Sequence, residues 1–414
     1  MGKSILKTDK FCFDKKEKED VYMITHKQRI EAALEGKILD RPAYAMWGPH
    51  FNLEDRNVKD FTDATIRYQE AYDFDFIKVM PNGIYFTEDF GQVIRPAENY
   101  LDDTWMNTLQ FAIKDPHDWA KIKVPDLKKG ALAREIEVVK RLCDHYQGDV
   151  PVLPTIFSNI VWMGEMTAGH YHQEVIVSQF KQSEKYAKMG MEVVAETNER
   201  LMEAFVDAGA DGFFLGYQMG MYEKMGKEMY EECAAKYDLR NLNAIKDKTW
   251  FNLAHLCHGD RNDTDQFMDY PVQAFNWADT HKEHRTLREM REITDKVLIG
   301  GLDHDLGSSG YLSIGDGSVA PGTTDLSGSD REKVKQVIRR RLEEGMKAAG
   351  PKFVLSGGCG WNHDALHRFP LVREVIDEVA DEIAKVSSQY IADNMDQSQP
   401  KIIQTAYASK TPVN

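Results

Sequence analysis

Residues 331–360 read REKVKQVIRRRLEEGMKAAGPKFVLSGGCG, a helix pattern followed at once by a strand pattern. Val334, Val337, Ile338, Leu342 and Met346 fall on one stripe at helical spacing, and Gly350 stops the helix. The run Phe353–Gly360 (FVLSGGCG) is then apolar and closed by glycines, as a strand covered on both faces of a parallel sheet requires. Working outward, the same unit recurs. Upstream lie Pro42–Gly48 (PAYAMWG), Phe76–Pro81 (FIKVMP), Pro151–Phe157 (PVLPTIF), Asp211–Tyr217 (DGFFLGY), Thr249–Cys257 (TWFNLAHLC), Ala274–Asp279 (AFNWAD) and Lys296–Asp303 (KVLIGGLD). Downstream, Leu371–Val386 carries Val375, Ile376, Val379 and Ile383 on another helical stripe.

Eight buried runs separated by helices predict a (β/α)8 TIM barrel in a single α/β domain. An open doubly wound sheet is the competing architecture, and no GxGxxG follows the first strand. The barrel is expected over residues 23–386, between a polar N-terminal arm (1–22) and a polar C-terminal tail (387–414). Thr25 and Gln28 form a capping-box pair that opens the first helix, and Gly36 closes it. Two connections are long. Residues 82–150 hold an expected hairpin, YFTEDFGQVIRPA, and a helix. Residues 304–330 form a Gly/Ser/Asp-rich loop after strand 7, over the end where such barrels place their chemistry.

The 414 residues carry 52 Lys plus Arg against 67 Asp plus Glu, a net charge of −15, with no long basic stripe. That balance predicts no nucleic-acid partner and no anionic-membrane binding. No apolar run approaches the length of a membrane span, and the N-terminus has no secretory h-region. Five widely spaced cysteines, Cys12, Cys143, Cys233, Cys257 and Cys359, do not form a disulfide framework. A reducing, cytoplasmic setting is expected, which leaves thiols free for chemistry.

The C-terminal ends of the runs nominate the site residues. Two apart on one strand, His255 and Cys257 face one side, while Leu256 packs outward. Cys359 ends the last strand at the same mouth. One imidazole and two thiolates suit Zn²⁺, and three protein ligands leave a position open, as at catalytic centres. On the residues alone, buried structural thiols come ahead of the metal reading. Asp279 and Asp303 end strands at the mouth and are candidates for proton transfer, against a helix N-cap role. Trp47, His50, Asn159, Tyr217 and Asn276 are candidate substrate contacts. His170 with His172, His281 with His284, and the Met-containing stretch Met219–Met229 are read as helix starts, a solvated turn and core.

THKQRIEAALEGKILDRPAYAMW, FTEDFGQVIRPAE, IKDPHDWAKIKVPD and GDVPVLPTIF, in that order, together with FVLSGGCGWNHDA near the end, resemble the uroporphyrinogen decarboxylase superfamily from about Met23 to Lys385. The resemblance implies a (β/α)8 barrel and one of two chemistries. The decarboxylase branch carries an arginine-bearing loop after strand 1, where this chain has WGPHFNLEDRN and no arginine before Arg56. The zinc-dependent cobamide methyltransferase branch carries His-x-Cys on strand 5 and Cys after strand 8, which His255, Cys257 and Cys359 match.

Two departures stand out. His258 follows Cys257 where relatives have Gly, and the 304–330 loop lengthens the spacing to Cys359. No D-x-H-x-x-G corrinoid motif is present, so a corrinoid is expected on a separate protein. The resemblance thus implies a zinc-dependent methyltransferase that works between a corrinoid protein and a small molecule, a thiol or a methoxy or methylamine compound. The alternatives are a metal-free decarboxylase or lyase and a non-catalytic tetrapyrrole binder.

Overall fold

The computed structural model describes residues 24–48, 50–99, 107–169, 174–218, 224–257, 264–281, 283–303, 328–361, 366 and 368–393. The arm, the far end of the tail, the 304–327 loop, His170, His172, His258 and Met219–Met221 lie outside them.

All eight runs form parallel staves. In chain order the strands are β1 (Ala43–Tyr44), β2 (Ile77–Lys78), β3 (Val93–Ile94), β4 (Thr108–Gln110), β5 (Val152–Leu153), β6 (Thr155–Phe157), β7 (Phe214–Gln218), β8 (Leu253–Cys257), β9 (Ala274–Trp277), β10 (Val297–Leu302) and β11 (Phe353–Gly357). Seven pair in the order β1-β11-β10-β9-β8-β7-β6, and β2 pairs with β5. The third stave is one strand cut in two by Pro154, which has no N–H for the ladder. Its first half serves β2 and its second half serves β7.

The circle closes between the first two staves by a single backbone bond, Asp75 N–H to the Tyr44 carbonyl at 2.9 Å. The Asp75 carboxylate supplies the rest of that seam. It accepts from the Tyr44 amide at 2.9 Å and from Arg41 at 2.6 and 2.9 Å. The arginine beside it holds this buried acid below the usual carboxylate range against the cost of burial.

Helices follow the staves: Val58–Tyr72, Gly130–Tyr146, Glu184–Asp207, Lys236–Ile245, Leu287–Ile293, Gly328–Ala349 and Phe369–Asp393. The stripe read from sequence is the buried face of the second-last helix, with Val334, Ile338 and Leu342 fully enclosed. The Thr25–Gln28 capping box is present at His26–Leu34.

One local expectation is corrected. YFTEDF is not a hairpin arm but a 3₁₀ helix, Tyr85–Phe90, and the true hairpin pairs Val93–Ile94 with Thr108–Gln110. Buried Tyr85 explains the difference, since its hydroxyl donates 2.9 Å to the Thr155 carbonyl and fixes the segment against the third stave. Among the described residues no helix is long and apolar enough to cross a membrane.

Candidate metal centre

The strand ladder sets out the site residue by residue. His255 and Cys257 sit on β8, and Gly216 of β7 and Asn276 of β9 flank His255 in register. Period two turns both ligating side chains to one face and buries Leu256 on the other. Cys359 arrives just past β11. Its loop reaches the mouth because Gly358 lies against the backbone of the sixth stave, where a Cβ would stand 2.4 Å from the Ala278 Cα.

The three ligating groups converge. Cys257 Sγ lies 3.7 Å from Cys359 Sγ, and Cys359 Sγ lies 3.6 Å from His255 Nε2. All three ligating atoms fall within 4.8 Å of one another. Tetrahedral zinc, with bonds of about 2.3 Å to sulfur and about 2.0 Å to nitrogen, puts two sulfurs about 3.8 Å apart and a sulfur and nitrogen about 3.5 Å apart. The two spacings that Cys359 makes match that ion, and the donor set of one imidazole and two thiols suits it. Sharing a hydrogen with Cys257, together with burial, pushes the Cys359 thiol up to about 12.

Asn276 fixes the imidazole. Its Nδ2 donates to the Ile299 and Gly357 carbonyls, both at 2.9 Å. Its Oδ1 must therefore face His255 Nδ1, 2.5 Å away. Nδ1 carries the proton, and the Nε2 lone pair points at the sulfurs. Asn276 was expected as a substrate contact; the structure makes it the residue that orients His255.

The other candidates divide. Trp47 is buried, edge-on to Phe214 at 5.1 Å and to His255 at 6.4 Å. His50 is half-buried at the lip, with Nδ1 donating to the Pro81 carbonyl at 3.1 Å. Asp279 caps no helix; it accepts from the Gly301 amide at 3.0 Å, and burial pushes its carboxyl up to about 7. Asp303 is half-buried just past β10.

Asn159 and Tyr217 sit in other surroundings. The Asn159 side chain donates to Asp238 at 2.9 Å and Asn241 at 2.7 Å, in a polar knot among helices. Tyr217 pairs in register with Leu256, on the face opposite His255, and packs on Phe267 and Tyr270. His281 and His284 pack with tilted rings, centroids 4.8 Å apart, in a turn before the helix that Thr286 caps.

Lys78 is the residue sequence reading passed over. It interrupts the apolar run FIKVMP, and its ammonium lies 4.5 Å from the centre of the Phe214 ring. Desolvation lowers it to about 8, while Cys359 and Cys257 act on it in the opposite sense. A lone charge inside a buried strand was the available signal.

The family model described as uroporphyrinogen decarboxylase (URO-D) matches residues 25–366. The chain belongs to the uroporphyrinogen decarboxylase family. Within that family it is similar to two curated proteins, both named methylcobamide:CoM methyltransferase MtbA. The protein from Methanosarcina acetivorans is 20% identical over 56% of this chain and 70% of its own length. The one from Methanosarcina mazei is 23% identical over 48% of this chain and 56% of its own, so the match spans little more than half of that relative. A solved methyltransferase from Methanosarcina mazei has the same fold, with a TM-score of 0.64 over 86% of this chain and 99% of that one, at 14% identity.

Proposed function

We propose that this chain is a zinc-dependent methyltransferase that moves a methyl group between a corrinoid on a separate protein and a small thiol. The observation that carries the reading is the sulfur–sulfur–imidazole triangle at the barrel mouth, with spacings of 3.7 and 3.6 Å. Zinc, when bound, supplies a Lewis acid that keeps a coordinated thiol deprotonated near neutral pH.

The chain's own residues do the rest. His255, Cys257 and Cys359 hold the ion, and Asn276 keeps the His255 lone pair aimed at it. Trp47 and Phe214 wall the imidazole with aromatic surface, which excludes water from the thiolate. Asp279 is engaged as an acceptor for the Gly301 amide and braces the mouth; of the two carboxylates, Asp303 is assigned the passage of the thiol proton to solvent. In the forward direction a carbon–sulfur bond forms, the cobalt–carbon bond breaks, and its electron pair stays with the corrinoid.

Metal analysis of protein purified without chelator, beside Cys257→Ser, tests the centre. Methylcobalamin with a panel of thiols, followed by loss of the cobalt–methyl absorption, tests the reaction. The expected result is about one zinc per chain, lost in Cys257→Ser, and thiol-dependent demethylation that chelation stops. Metal-free wild type, or turnover that survives chelation, overturns the reading and favours the decarboxylase or binder alternatives.

A further inference from the structure

The polar knot around Asp238 lies outside the barrel, between its wall and two helices, and takes no part in the scheme above. Asp238 stands near the start of the helix Lys236–Ile245, directly after a π turn, Glu231–Ala235. Such turns are rare and recur at functional sites. The carboxylate is 3% exposed, and among the described residues no lysine, arginine or histidine pairs with it. A buried carboxylate without a counter-charge is costly.

The hydrogen bonds around it run in one direction. Asn241 Nδ2 donates to the Ala195 carbonyl at 2.9 Å, so Asn241 Oδ1 accepts from Asn159 at 2.7 Å. Asn159 Nδ2 also donates to Asp238 Oδ1 at 2.9 Å, which leaves Asn159 Oδ1 to accept from Asn198 Nδ2 at 3.1 Å. Asn198 Nδ2 reaches the Phe157 carbonyl as well, at 3.2 Å. The run of bonds ends in two oxygens with no donor, Asn198 Oδ1 and Asp238 Oδ2. Asn198 is 2% exposed, and both residues line one small cavity with Ser158 and Tyr217. The space there for the centre of a water-sized body is about 10 Å³, enough for a single occupant.

A proton, a water or a cation can join two acceptors. Burial pushes the Asp238 carboxyl up to about 7, so below that pH the proton serves. Above it the carboxylate calls for a positive charge, which water does not bring. One monovalent cation cancels one carboxylate, whereas a divalent ion leaves an excess. The phenols that face Asp238 are Tyr217 on β7, Tyr230 ahead of the π turn and Tyr270. Burial above all, with the charge of Asp238 adding to it, holds them well above their usual range, so they stay neutral.

We propose that Asp238 and Asn198 form a site for one monovalent alkali cation, sodium or potassium, which ties the helices Glu184–Asp207 and Lys236–Ile245 to β6 and β7 and gives way to a proton as the pH falls.

The experiment follows urea unfolding of the full chain in sodium, potassium or choline chloride at one ionic strength, at about pH 8.5 and about pH 5.5. Choline is too large to enter. An ion present at about 30 times its dissociation constant raises the folded-to-unfolded ratio about 30-fold. Sodium or potassium should give a gain of that order over choline at the higher pH, and about twofold or less at the lower, where the proton holds the site. Asp238→Asn should abolish the gain and Asn198→Ala should cut it. Each variant is read as its own difference between salts, so a lower overall stability does not hide the answer.

Equal stability of wild type in all three salts overturns the cation site. A gain that is the same at both pH values, or that persists in Asp238→Asn, also overturns it, because it marks screening of surface charge. A gain kept whole in Asn198→Ala overturns the placement between these two oxygens.

Discussion

Replacing Asn276 by alanine is the sharpest test of how the metal centre is held. The side chain makes three bonds: it accepts from His255 Nδ1 at 2.5 Å and donates to the Ile299 and Gly357 carbonyls at 2.9 Å. Alanine strands two buried carbonyls, each costing about 1–3 kcal/mol. With partial relaxation, a loss of about 3 kcal/mol of folding stability is expected, read by urea unfolding of the metal-free protein. It also frees the imidazole to rotate and to change tautomer. Removing such a support lowers metal affinity by about 10- to 100-fold, read by competition with a chromophoric chelator. Asn276→Asp separates the two effects. It keeps an acceptor for Nδ1 and so retains most of the zinc affinity, but it sets a carboxylate against two carbonyls and remains destabilised. If Asn276→Ala binds zinc as tightly as wild type, the assignment of the proton to Nδ1 and of the lone pair to Nε2 is wrong.

Two further outcomes are expected. Gly358→Ala drives a Cβ to within 2.4 Å of the Ala278 Cα; the shift needed should cost about 1–3 kcal/mol and lower zinc occupancy by displacing Cys359, with unfolding and metal analysis as the checks. Burial raises the Asp238 carboxyl from its ordinary 3.8 to about 7. The native state therefore holds this proton more tightly than the unfolded chain, and stability is full below about pH 4 and falls as pH rises through about 7. Asp238→Asn should flatten that fall between about pH 4 and about pH 7; a wild-type profile already flat over this range contradicts it.

Much of the barrel could be read from the chain because parallel staves are apolar throughout and each ends at a turn residue. All eight runs became staves, and the stripe Val334, Ile338, Leu342 proved to be the buried face. Period two was enough to put His255 and Cys257 on one side. It also puts Tyr217 out of phase with Phe214 and Gly216, on the face of Leu256. The surroundings of Asn159 were not legible, because a strand-end amide looks the same whether it faces a cavity or a buried acid 79 residues along the chain, here Asp238. Lys78 was passed over because a single charge in FIKVMP disturbs the apolar pattern without breaking it. The helix at Tyr85–Phe90 depends on a tertiary bond to Thr155 that no local pattern announces.

The seam between the first two staves has a consequence for entry to the centre. Ladder bonds are replaced there by one amide contact and the Asp75 clasp, all at the foot of the barrel. Toward the mouth the same seam is bridged by the Gly48 amide against the Met80 sulfur, a soft contact at 2.8 Å. Trp47 stands on one side of this gap and Lys78 on the other. The barrel's least stitched edge thus runs between these two side chains, and the first stave takes its ladder from β11, the strand that leads to Cys359.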